Sequence, residues 1–146
     1  MTSADSLFPQ TFALFLVTSV LGWVVDTVLR SLRRRRFAPI RPAPFSPLYG
    51  AVCLCLWAAP AIVGDASRAL QFLMFGAFIC AFEYVAGFLI LQVRGHRMWD
   101  YRDRYCHLSG HTDLFHFFLW GALGLLAYRW ALPFIARQLG LPAHLT

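Results

Sequence analysis

Apolar residues gather into four long runs separated by short polar segments, at roughly Phe12–Leu29, Leu48–Gly64, Ala69–Val93 and Leu114–Ala136. A helix rises 1.5 Å per residue, and about 20 apolar residues cross the hydrocarbon layer of a bilayer. The pattern therefore predicts an all-α polytopic membrane protein with four transmembrane helices in one domain. Arg129 and Pro133 interrupt the last run, so that span could close as early as Tyr128.

Helical spacing shows which faces turn inward. In the third run Gly76, Cys80, Glu83 and Gly87 recur at steps of four, three and four, which places them on one stripe. Small residues on a stripe permit close helix contact, so this face is expected to meet protein and not lipid. In the first run Ser19, Trp23, Asp26 and Arg30 form a similar stripe beside Gly22, and Asp26 and Arg30 stand four apart, at pairing distance. In the fourth, His116, Trp120, Gly124 and Ala127 share a face, so the histidine could approach the same interior or serve as a packing residue.

Glu83 is the only glutamate, and it lies near the middle of a span. An ionised acid at the bilayer centre costs about 2.5–3.5 kcal/mol or more, so the group must be protonated, paired with a cation or turned toward a polar cavity. A ligand, ion or proton site is one reading. A neutral acid hydrogen-bonded to the next helix as packing glue is the other.

Composition agrees with the membrane class. With 59% hydrophobic and 14% charged residues, a chain of 146 residues has too few polar groups to cover a soluble globule. The first apolar run follows Asp5 and ends at Asp26 and an arginine cluster without a small-residue cleavage pattern, so it is expected to remain as a span and not as a cleaved leader. All thirteen cationic side chains are arginine. Arg30, Arg33, Arg34, Arg35, Arg36 and Arg41 follow the first span and Arg94, Arg97, Arg102 and Arg104 the third, against Arg68, Arg129 and Arg137 on the other side. The positive-inside rule then makes both rich loops cytoplasmic, with both termini outside, in a multi-pass protein of a cell membrane. The Arg33–Arg36 run beside a span reads as a topology signal or a contact to anionic headgroups, and nucleic acid is not an expected partner.

The two arginine-rich loops differ in character. The first holds Pro39, Pro42, Pro44 and Pro47 and leads through Phe45 to Tyr49-Gly50, which predicts a stiff, extended segment packed back on the bundle. The second, Arg94 to His107, mixes aromatic residues with both charge signs. It reads either as an interfacial belt with Trp99, Tyr101 and Tyr105 at the headgroups, or as the mouth of a binding vestibule carrying Asp100, Asp103, His107, His111 and Asp113. Cys53, Cys55 and Cys80 fall in spans and Cys106 in a loop, which gives no disulfide framework. Cys106-His107 with His111 and Asp113 is metal-capable, yet it lacks a Cys-x-x-Cys pair or a His-Glu-x-x-His helix, so neither a metal nor another cofactor is expected.

Gly22-Trp23, the Pro44-Phe45-Ser46-Pro47-Leu48-Tyr49-Gly50 segment, Glu83-Tyr84, Trp99-Asp100-Tyr101 and Ser109-Gly110 together resemble the motif order of the bacterial ABC-transporter type IV, or CmpB-like permease, family. The resemblance runs from about Gly22 to Tyr128 and implies a permease-like protein of the bacterial cytoplasmic membrane without naming a cargo. His111 stands where that family is expected to carry an arginine, which weakens any anion-binding role there.

An ABC transporter needs an ATPase, and a chain without lysine cannot form a Walker-type phosphate cradle, so hydrolysis would belong to a separate subunit. Four helices are few for a transport path, and the small-residue stripes suggest a homodimer. The expected substrate- or ion-binding residues are Glu83, Asp26, Trp23 and Tyr49 in the spans, with Trp99, Asp100, Tyr101 and His111 in the loop, and no catalytic residue is assigned. One alternative is a membrane enzyme for an anionic or lipid-linked substrate, with Asp100, Asp103, His107 or His111 as acid/base groups and Arg94, Arg97, Arg102 or Arg104 holding the anion. Another is an accessory membrane subunit.

Overall fold

The structure, a computed structural model, describes residues 3–39 and 44–141 and is mostly helical. Its elements are α1 (Ser3–Arg34), α2 (Pro47–Ala58), α3 (Pro60–Val63), α4 (Arg68–Arg94), a hairpin of β1 (His107–Leu108) and β2 (Thr112–Asp113), α5 (Leu114–Leu126), a π-helical turn (Ala127–Ala131) and α6 (Leu132–Gln138). They group into two compact units, one with α1, α2 and α6 and one running from Ala61 to Arg129.

Among the described residues three helices have the length and composition to cross a membrane: Leu7–Leu32, Arg68–Arg94 and Leu114–Gln138. They coincide with three of the four expected spans. The last continues past Arg129 and Pro133 instead of ending at Tyr128. Proline has no N–H to donate and its ring crowds the carbonyl one turn back. The wider turn at Ala127–Ala131 comes directly before that position and accommodates it, so the helix resumes with Pro133 in its first turn.

The expected span over 48–64 differs. Here α2 is 12 residues long, about 18 Å of rise, short of the roughly 30 Å hydrocarbon layer. It stops because Pro60 cannot continue the hydrogen-bond ladder, and the chain makes only the short α3 before turning. Pro47 occupies the first turn of α2, where a missing N–H costs nothing.

Within the first unit, the proline-rich connection does pack back on α1. Ala38 donates its N–H to Ser31 Oγ at 3.0 Å and Ser46 donates to the Ser19 carbonyl at 3.1 Å. The Phe45 ring meets Phe15 edge-on at 6.0 Å. Arg41 and Pro42 lie outside the described residues. Ser19 is fifteen residues before Arg34, so α2 starts about 22 Å back along α1, level with its middle. It then runs antiparallel to α1, with Tyr49 against Gly22 and Cys53 against Thr18.

The second unit is built on the close pairing of α4 and α5. A Cβ on Gly76 would stand 2.7 Å from the Phe117 carbonyl oxygen, and one on Gly121 would stand 2.8 Å from that of Phe72. The two helices therefore touch backbone to backbone at both glycines, an approach no larger residue allows. The predicted stripe is inward as expected: Gly76, Cys80, Glu83 and Gly87 are all buried.

Candidate functional site

Glu83 sits on this buried face, 6% exposed, and both of its carboxylate oxygens are engaged. Tyr101 Oη donates to Oε1 at 3.1 Å and Trp120 Nε1 donates to Oε2 at 3.0 Å. One donor comes from the loop after α4 and the other from α5. Among the described residues no arginine or histidine lies within ion-pair distance of this acid. It is held by neutral donors.

The loop is shaped to bring Tyr101 there. Gly95 ends α4 with φ +69°, in the left-handed conformation glycine adopts freely, and its N–H closes the last turn on the Leu91 carbonyl. Trp99 Nε1 donates to the His111 carbonyl at 2.9 Å, and Tyr101 N–H donates to the Gly110 carbonyl at 3.0 Å. Gly110, at φ +73°, leaves room for Arg102 and Asp100, whose atoms a Cβ would meet at 2.5 and 3.0 Å. The folded loop then rests on Gly87, one turn beyond Glu83, where a Cβ would be 2.7 Å from His111 Nδ1 and 3.1 Å from Trp99.

A second hydrogen-bonded group backs Tyr101. Asp113 caps α5, accepting from the His116 N–H at 2.8 Å and pairing with His116 Nδ1 at 2.9 Å. The His116 ring lies flat on Tyr101 with centroids 4.1 Å apart and is tilted toward Trp120 at 6.0 Å. Asp113 is thus satisfied by a helix N-terminus and an imidazole, while Glu83 takes the two remaining aromatic donors.

Each expected site residue can now be placed. Glu83 and Tyr101 are in direct contact. Trp99 and His111 support them: His111 is 3% exposed, its ring meets Tyr84 edge-on at 5.3 Å, and Arg97 Nη1 stands 3.4 and 3.5 Å from its two nitrogens. Near-equal distances to both nitrogens describe a guanidinium over the ring face, not a directed bond. Burial and the Arg97 charge hold His111 below its ordinary pKa, which keeps it neutral.

Asp100 does not face Glu83. It is exposed and forked onto Arg102, whose Nη2 donates to Oδ2 at 2.6 Å and whose Nε donates at 2.9 Å. Those bonds hold its carboxyl down at about 2. Tyr105 is almost fully exposed, as the belt reading expects, whereas Trp99 and Tyr101 are half-buried and turned inward. Trp23, Asp26 and Tyr49 belong to the other unit. There Asp26 pairs with Arg30 at 3.3 Å, Trp23 is half-buried, and Tyr49 lies on Gly22.

Sequence reasoning assigned no site role to Trp120; it offered Asp113 as a vestibule residue and His116 as one facing the interior, without joining either to Glu83. The signal for Trp120 was its place on the inward stripe of the fourth run, four residues from His116, but the carboxylate it meets is 37 positions earlier in the chain.

Comparison with curated proteins and with solved structures finds no match. The family profile described as "Putative ABC-transporter type IV" matches residues 13–145, nearly the whole chain, and the protein belongs to that family.

Proposed function

We propose that the protein is a permease-like membrane protein in which Glu83 is the ion- or proton-binding group of a route opening toward the loop between α4 and α5. The observation that carries this reading is the engagement of Glu83: a buried acid inside a span, held by a loop tyrosine and a helix tryptophan, with no ion-pair partner among the described residues. Packing glue would need one helix-to-helix bond. Here the second bond comes from a loop side chain whose own surroundings reach the polar surface, so a small displacement of Tyr101 connects the acid to solvent.

The first unit supports the same class. A half-length helix starting level with the middle of α1 is an arrangement that channels and transporters use where a route crosses the hydrocarbon layer. In this reading α2 forms part of the fourth crossing. The enzyme alternative fares worse, because its acid/base candidates are occupied locally: Asp100 by Arg102, and His107 Nδ1 by the Gly110 N–H at 3.2 Å. A separate ATPase subunit and a second copy of the chain are the partners the family and the few helices suggest, and trans-bilayer placement in the cytoplasmic membrane of a bacterium goes with them.

Flux measurement tests the reading. In phospholipid vesicles enclosing a pH-reporting dye, wild type should dissipate an imposed proton or alkali-cation gradient faster than empty vesicles, and Glu83→Gln should not. Equal rates for wild type and Glu83→Gln would sink it.

A further inference from the structure

The second unit carries another polar construction, remote in the chain from Glu83, around Gln71 and Arg129. Gln71 is wholly buried in the first turn of α4. Its amide nitrogen donates to the Val63 carbonyl at 2.9 Å, which fixes the orientation of the amide, since only the NH₂ can donate there. The amide oxygen is thereby turned the other way, and it accepts from Arg129 Nη2 at 2.9 Å and Nε at 3.2 Å. A long side chain at a span end would ordinarily reach for water in many rotamers. This one is held from behind by a buried, neutral group.

Arg129 has no carboxylate partner among the described residues, and Gln71 supplies no charge. As a residue Arg129 is nevertheless exposed on an apolar helix, within the π-helical turn, with its guanidinium carbon 6.0 Å from the Tyr128 ring centroid. The Tyr128 hydroxyl, next to it in the chain, is buried and has no hydrogen-bond partner among the described residues. Arg129 is level with Gln71, three residues or about 4.5 Å inside the start of α4, although the helix that carries it runs on to Gln138. The N-terminus of α4 at that level adds partial positive charge, and Asp65 in the preceding turn is exposed and makes no ion pair with Arg129. Gln71 thus takes Nε and Nη2 of a cation that pairs with no carboxylate among the described residues.

We propose that Arg129, oriented by Gln71, is a binding site for a phosphate-type oxyanion at the membrane surface. The N–H groups that Gln71 leaves over, on Nη1 and Nη2, form a pair matched to two oxygens of a phosphate. That chemistry is offered by a phospholipid headgroup and by a free anion alike, and the experiment separates them.

Purified full-length protein in an uncharged sugar detergent is titrated with phosphatidylglycerol, with a phosphate-free glycolipid and with inorganic phosphate, and adducts are counted by native mass spectrometry. Wild type should bind phosphatidylglycerol and not the glycolipid, and Arg129→Gln should weaken this about tenfold, as loss of a charge-assisted contact does. Arg129→Lys, which keeps the charge without the fork, and Gln71→Leu, which frees the side chain, should each weaken it several-fold. Saturable inorganic phosphate adducts that vanish in Arg129→Gln identify a free anion as the ligand, whereas lipid adducts that excess phosphate fails to displace identify the headgroup. Undiminished binding in Arg129→Gln overturns the site. Wild-type binding by both Arg129→Lys and Gln71→Leu overturns the orienting role of Gln71, and Arg129→Lys gives that answer even if Gln71→Leu does not fold.

Discussion

Replacing Glu83 with Gln separates the acid's chemistry from its packing, and the local geometry sets the size of each effect. Trp120 Nε1 can only donate, so the glutamine carbonyl must take the place of Oε2 at 3.0 Å. The amide NH₂ then faces Tyr101 Oη at 3.1 Å, and a phenol can rotate its proton away and accept. Both hydrogen bonds survive with one reversed. Interhelical hydrogen bonds in membranes are worth about 0.6 kcal/mol on average and under about 2 at most, so folding should change by less than about 1 kcal/mol. Glu83→Leu is different. It strands the buried Trp120 N–H, at about 1–3 kcal/mol, offset in part by removing a carboxyl from an apolar site. Unfolding of the three proteins in detergent should therefore rank wild type close to Glu83→Gln and both above Glu83→Leu. In infrared difference spectra between neutral and acid pH, a carboxyl band present in wild type should be missing from Glu83→Gln. Superimposable spectra would refute the titrating role, and a Glu83→Gln protein destabilised by more than about 2 kcal/mol would refute the hydrogen-bond reversal.

Gly87→Leu should lift the loop from α4, because its side chain must occupy the space of His111 and Trp99; the shift is read as increased proteolysis between Arg94 and Asp113, and an unchanged digestion pattern would show that the loop is not seated there. The Asp100 carboxyl is held at about 2, below its unfolded value near 3.9, so its contribution to loop order is complete above that value and fades as pH falls toward 2. Loop resonances followed by NMR should track this window, and Asp100→Asn should remove the dependence while leaving the Glu83 carboxyl band intact. After replacement of the four free thiols, cysteines at Ala38 and Gly95 should label from the cytoplasmic side and one at Ser67 from the outside; labelling of Ala38 from the outside alone would reverse the orientation.

Periodicity made the inward face of α4 readable. Gly76, Cys80, Glu83 and Gly87 lie within three turns of one helix, where the 3.6-residue repeat fixes who shares a side. Hydropathy likewise located three spans to within a few residues, because the bilayer demands a minimum apolar length whatever the helices pack against. Even the Asp26–Arg30 pair was legible, since both partners are on one helix at a fixed spacing.

Length alone could not say that α2 begins level with the middle of α1. That depth depends on where Tyr49 and Ser46 find Gly22 and Ser19, a docking decision between helices. Nor could spacing pair Glu83 with Trp120 and Tyr101, or Gln71 with Arg129 across 58 positions. A sequence records which residues are apolar and how they repeat along one element. Which donor reaches a given buried acceptor is set by the backbone approach of α4 to α5 at Gly76 and Gly121 and by the turn at Gly110 that folds the loop, and those are properties of the packed chain. The membrane class, the inward acid and the arginine asymmetry were therefore determined by sequence, while the partners of Glu83 and the fixed fork of Arg129 were decided by tertiary structure, because hydrogen bonds between elements need positions that only packing supplies.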